Sequence, residues 1–172
     1  MRSPVLSPLY SGLGAQRYHA LSAHDDTEIA LILETLENHL SPDLADLRIL
    51  ELACGSGRVT LPMAQAGYRI LATDLSPDML EVLRSRIAEQ DSAADAPGDL
   101  AARIEVQEAD MSSFSFTERF KAVCLPTASI PQLDAEQRLA QPRARWTAHR
   151  LHGRHRRGAH DDDRDPARHL PD

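Results

Sequence analysis

Three acids and two glycines hold the chemistry legible in this chain. Glu51 lies in the apolar run Ile49-Leu50-Glu51-Leu52, and Gly55 and Gly57 follow it one residue apart. Asp74 comes 17 residues after Gly57, at the end of a second apolar run, and Asp110 follows a third in Glu108-Ala109-Asp110-Met111. Glycines behind a strand let backbone approach a ligand closely. A dinucleotide turn needs Gly-x-Gly-x-x-Gly, but Thr60 takes the third place, and no Gly-Lys-Ser/Thr makes a phosphate loop. Three carboxylates around one crevice repel a pyrophosphate. They accept hydrogen bonds from amines and hydroxyls.

Such acids work together only if the elements between them bring them to one place. Arg48–Leu52 reads as a short buried parallel strand. Gly57–Ala66 reads as a helix with Pro62 near its first turn and Gly67 behind it. Tyr68–Thr73 is a second strand. Ser76, Pro77 and Asp78 then form a helix start, and Met79, Leu80, Leu83 and Ile87 its apolar face. Residues 91–99 read as a polar loop, Arg103–Gln107 as a third strand with Ile104 and Val106 on one face, and Phe120–Leu125 as a fourth, stopped by Pro126. Upstream, Ile29, Ile32, Leu33, Leu36 and Leu40 predict a helix over about Asp25–Leu40, and residues 1–16 read as loosely ordered. Asp134–Ala140 starts a further helix. This alternation predicts an α/β fold: a doubly wound, Rossmann-like, mostly parallel sheet with ligands beyond the strands' carboxyl ends. Glu51, Asp74 and Asp110 then stand around one crevice. They suit a ligand with an amine, a ribose diol, an adenine amine and a sulfonium cation, which is S-adenosylmethionine.

The stretch "ILELACGSGRVTLPMAQAGYRILATDLSPDML" resembles the first two motifs of the class I S-adenosylmethionine-dependent methyltransferases, and the likeness runs from about Tyr18 to Ala140. The family's acid-x-Gly-x-Gly-x-Gly has Ala53 in place of its first glycine here. The resemblance implies that backbone at Ala53, Gly55 and Gly57 packs on the methionine part and that Glu51 orients its amine. It further implies Asp74 on the ribose hydroxyls, with Leu75 and Met79 against adenine. Asp110 would take the adenine amine, the Met111 backbone the ring edge, and Leu125 a place near the sulfonium. Tyr18 matches an N-terminal tyrosine that closes over the cofactor, although His19 stands where the family has Asp. Glu51 also suits a helix-capping role, and Met79 also suits the core.

Methyl transfer is an in-line displacement, so the protein mainly aligns the reactants and keeps them dry. A hydroxyl acceptor more often needs a base, for which His19 and His24 are candidates; no catalytic residue is assigned and no metal cluster is evident. Strand four continues Cys124-Leu125-Pro126-Thr127 and lacks the Asn/Asp-Pro-Pro-aromatic signature of nucleobase-amine methylation. The expected acceptor is an amine or hydroxyl of a small molecule or peptide.

The chain has 172 residues and a net charge of −7. Its first 140 residues are strongly acidic, which argues against nucleic acid. No apolar run reaches the roughly 20 residues of a membrane span, the prolines near the start break any signal peptide, and two cysteines suit a reducing cytoplasm. The expected division is an N-terminal segment, 1–24, forming a partly ordered lid; the cofactor domain, 25–140; and a disordered tail, 141–172. The tail holds 8 of the 19 basic residues and five of the eight histidines, with neither strand nor helix periodicity. It reads as frameshifted text, a native basic tail or a His/Asp metal-binding tail. The C-terminal strands of a full domain are missing from the pattern. A non-catalytic fragment or partner-binding pseudoenzyme, and a nucleotide-binding oxidoreductase, are the competing readings.

Overall fold

In the computed structural model the described residues are 7–22, 26, 28–40, 48–93 and 99–126. All belong to the compact unit Met1–Gln141. The expected helix at 134–140, His24 and the tail from 141 lie outside the described residues.

Helices α1 (Leu13–Ser22) and α2 (Ile29–His39) precede β1 (Arg48–Leu52). Then come α3 (Thr60–Gln65), β2 (Arg69–Asp74) and α4 (Pro77–Asp91). The short α5 (Leu100–Arg103), β3 (Ile104–Glu108) and β4 (Ala122–Cys124) complete the described elements. The four strands form one parallel sheet in the order β3-β2-β1-β4. The strand order reverses at β1, so the crevice between the carboxyl ends of β1 and β4 is the switch point where such folds bind ligands.

The core explains why these segments take these shapes. β1 lies between β2 and β4, and Ile49, Leu50, Glu51 and Leu52 are all buried, as a parallel strand covered on both faces requires. Helix α4 packs with Met79, Leu80, Leu83 and Ile87, all buried, and Ser76 caps it by accepting the Met79 N–H at 3.1 Å. Gly67 ends α3 with φ 98°, a left-handed turn that glycine adopts freely.

Three sequence expectations need correction. The expected helix from Gly57 starts only at Thr60, because Gly57 has φ 83° and a left-handed residue cannot begin a right-handed helix. Residues 7–16 are not loose: Ser7 caps a 3-10 turn at Pro8–Tyr10, and α1 follows from Leu13. Gly14 makes this packing possible, since a Cβ there would sit 2.0 Å from the Pro8 carbonyl oxygen. Finally, the expected polar loop at 91–99 begins one residue too early, and its residues 94–98 lie outside the described residues. Asp91 ends α4, and its carboxylate accepts the Leu100 and Ala101 N–H groups at 3.0 and 2.8 Å, capping α5. Its anchor, Leu100, is fully buried.

Candidate functional site

The site grows from the turn that leaves β1. Ala53 has φ 54°, Gly55 φ 56° and Gly57 φ 83°, so three alternate residues are left-handed. Ala53 is the one that carries a Cβ in that region, at a cost of about 1–2 kcal/mol. Gly57 is needed for space as well as for φ: a Cβ there would meet Leu83 Cδ1 of α4 at 2.3 Å. Below Gly55 lies the Met79 methyl, 3.2 Å from where a Cβ would stand.

Side chains from β2, α4 and α1, and from the residue before α2, hold this turn. Asp74, at the end of β2, accepts the Gly55 N–H through Oδ2 at 2.8 Å and the Ser76 N–H through Oδ1 at 2.9 Å. Burial raises its pKa, and backbone hydrogen bonds from Ser76, Gly55 and Leu75 oppose the rise. Arg86 of α4 donates to the Ser56 carbonyl at 2.6 Å, and burial lowers its pKa. His19 of α1 pairs through Nδ1 with Ser56 Oγ at 2.9 Å. Arg58 forms an ion pair with Glu28, just before α2.

Glu51 is the exceptional group. It is fully buried on the central strand, and the Thr60 hydroxyl donates to its Oε2 at 2.6 Å. Oε1 has no donor among the described residues. Burial, above all, lifts the carboxyl from 4.5 to about 8, against the lowering effects of the Thr60 bond and Arg58; Asp74 and Glu28 add to the rise. Burial also raises the neighbouring Cys54 and Cys124 thiols.

A cleft, partly open to solvent, runs over this turn. Four sequence-predicted residues line it: Tyr18, Glu51, Ala53 and Gly55. Gly57 lies at the far side of the turn against Leu83, and Met79 is buried beneath it. Asp74 joins the site through its bond to Gly55, and Leu75, next in the chain, is half-buried. Asp110 and Met111 stand apart from the cleft lining. The Ala109 N–H donates to the Asp74 carbonyl at 2.9 Å, so their loop starts beside β2, but the Asp110 carboxylate accepts Ser112 N–H and Oγ, both at 2.7 Å. Leu125 is half-buried, and the next residue, Pro126, lines the cleft. His19, a candidate base in the sequence, is held on the glycine turn through Nδ1.

Sequence reasoning missed Ser56, Arg58, Thr60 and Tyr10. Thr60 had a signal, since it replaces the third glycine of the turn nine residues after Glu51. Tyr10 had none. It meets Tyr18 edge-on at 5.1 Å between ring centroids, and its carbonyl accepts the Ser76 hydroxyl. Burial raises its phenol pKa, with Tyr18 and Asp74 adding to the effect.

The chain is similar to known proteins. A family model described as "Methyltransferase domain" matches residues 49–148, running past residue 140 where the text changes character. The ubiquinone biosynthesis O-methyltransferase of Xanthomonas oryzae pv. oryzae is 33% identical over 92 residues, covering 51% of this chain and 37% of that protein. The magnesium-protoporphyrin O-methyltransferase of Rhodobacter capsulatus is 26% identical over 87 residues, covering 51% and 33%. The crystal structure of the glycopeptide N-methyltransferase MtfA, complexed with S-adenosyl-L-methionine, superposes with a TM-score of 0.55 and 30% identity. The match covers 67% of this chain and 45% of that one. The matched stretches thus span less than half of each relative. No helix among the described residues is long and apolar enough to cross a membrane. With its glycine turn, its parallel sheet and this family match together, the chain belongs to the class I S-adenosylmethionine-dependent methyltransferases.

Proposed function

We propose that the cleft binds S-adenosylmethionine and that the protein methylates an amine or hydroxyl of a small molecule or peptide. One observation carries this reading: a buried carboxylate, that of Glu51, at the carboxyl end of the central strand, whose Oε1 accepts no hydrogen bond among the described residues. An ammonium group fits that oxygen, and a pyrophosphate does not. The left-handed backbone at Ala53, Gly55 and Gly57 would face the methionine part. Asp74 would take the ribose hydroxyls, since a carboxylate has about four acceptor sites and backbone N–H groups of Gly55, Ser76 and Leu75 fill only some of them. In the same reading Leu75 and Met79 serve the adenine face, and Asp110 and Met111 its edge. Leu125 lies toward the sulfonium, and Tyr18 closes the cleft from α1.

The bound cofactor supplies a methyl group already activated on a sulfonium. The chain's own task is then to align the acceptor and exclude water, for which Tyr18, Val59 and Pro126 provide apolar wall. The named relatives include O-methyltransferases and an N-methyltransferase, which supports an oxygen or nitrogen acceptor without choosing one. The acidic domain disfavours nucleic acid as partner. The free thiols Cys54 and Cys124 suit a cytoplasmic setting.

Calorimetric titration of the full chain with S-adenosylhomocysteine tests the reading. Micromolar binding that Asp74→Ala abolishes supports it. A folded chain that takes up no S-adenosyl ligand overturns it.

A further inference from the structure

Glu51 is an acid placed where a charge is costly. It is fully buried, and it lines the cleft. Its surroundings do not neutralise it. Arg58, on the glycine turn, favours the ionised form but is itself in an ion pair with Glu28, and Asp74 and Glu28 add like charge. Cys54 follows the strand, and Cys124 of β4 is the direct register partner of Glu51; burial keeps both thiols protonated. From α1, Tyr18 lines the same cleft and His19 is bonded to Ser56. A carboxyl group in such a place holds its proton until a cation arrives.

We propose that Glu51 is a proton-exchanging anchor, protonated in the unliganded cleft and ionised when the cofactor's ammonium group settles on Oε1, with Thr60 as its positioning residue. In this exchange the carboxyl O–H bond breaks and the proton passes to solvent water. A charge-assisted N–H···O bond takes its place, with no change of oxidation state. Thr60, the first residue of α3, keeps Oε2 occupied at 2.6 Å and so leaves Oε1 as the acceptor for the ligand. Burial sets the resting state, with the carboxyl raised to about 8. Near neutral pH cofactor binding is therefore coupled to loss of a proton.

This inference rests on the cofactor reading, and the test separates the two. The full chain is titrated with S-adenosylhomocysteine in buffers of different ionisation enthalpy. The expected result is release of about one proton per ligand at pH 7, declining as pH rises through about 8. Binding without proton release overturns the proposed exchange and leaves the cofactor reading intact; no binding at all overturns both. Infrared spectra of the unliganded chain supply an independent readout. At pH 7 a protonated-carboxyl band is expected that Glu51→Gln removes, and its absence from the unsubstituted chain overturns the proposal. For Thr60, the substitution Thr60→Val should move the proton-release profile up by about one pH unit, because the hydroxyl favours the ionised form. Thr60→Ser should restore it. An unchanged profile in Thr60→Val overturns the positioning role.

Discussion

The glycine turn and the N-terminal segment are held in opposite ways. The turn is locked from below: Gly57 abuts Leu83, Met79 lies under Gly55, and the buried strands β1 and β2 flank it. The N-terminal segment is tied on from above by a few polar contacts. The Gly12 N–H donates to Asp78 Oδ2 at 2.7 Å, the Tyr10 carbonyl accepts from Ser76, and His19 pairs with Ser56. In α1 Ala15 is the one buried residue, while Leu13 and Leu21 are 70% and 82% exposed. One region thus shares the stability of the whole core. The other can open locally, as elements with few buried apolar contacts do.

Substitutions can break or sharpen this contrast. The largest effect belongs to Gly57→Ala, where left-handed strain and overlap with Leu83 together should cost about 2–5 kcal/mol. Denaturant unfolding measures it, and in a Leu83→Ala background Gly57→Ala should cost less, by the overlap part alone. A loss below 1 kcal/mol would mean that the turn is not locked by the core.

Glu51 comes next. Between about pH 4.5 and 8 the unfolded chain has lost this proton and the folded chain keeps it. The folded state then binds more protons, so stability falls as pH rises through that window, by roughly 1 kcal/mol per pH unit, and levels off above it. Glu51→Gln should flatten that part of the profile; an identical slope would place the titration elsewhere.

Gly14→Ala should act on the other region. A Cβ cannot fit against the Pro8 carbonyl, so the 3-10 turn must move off α1. Hydrogen exchange should quicken across residues 8–22, with the global unfolding midpoint shifted by less than about 1 kcal/mol. A global loss as large as that of Gly57→Ala would erase the distinction between the regions.

The smallest effect should be a gain. Ala53→Gly removes the strain of φ 54° but frees the unfolded chain, so about 0.5–1 kcal/mol of stabilisation should remain. If Ala53→Gly destabilises, the Ala53 methyl makes a packing contribution larger than the strain.

The same two regions differ in what could be read from them. β1 was legible to the residue because a buried parallel strand shows itself as an apolar run, and the Ser76-Pro77-Asp78 cap marked the start of α4 directly. The N-terminal helix was not legible. Pro4, Pro8, Gly12 and Gly14 read as a loop, whereas Pro8 opens a capped turn and Gly14 gives the room for that turn to pack on α1. In the site, Glu51 and Asp74 declared themselves by their places at strand ends. Their partners, Thr60 and the Gly55 amide, did not, since a hydrogen bond over 9 or 19 residues leaves no local pattern.

By itself the sequence determined the strand–helix alternation, the parallel sheet it implies, and the acids and glycines that end the first two strands. These follow from apolar periodicity, turn chemistry and helix capping, all of which act over a few residues. Only the tertiary structure decided that Ala53 is left-handed, that Glu51 is fully buried with one oxygen unpaired among the described residues, and that Tyr10 and His19 reach the site from the N-terminal segment. Burial and long-range contact depend on what the rest of the fold brings near, and a carboxylate's proton affinity is set by that company rather than by its neighbours along the chain.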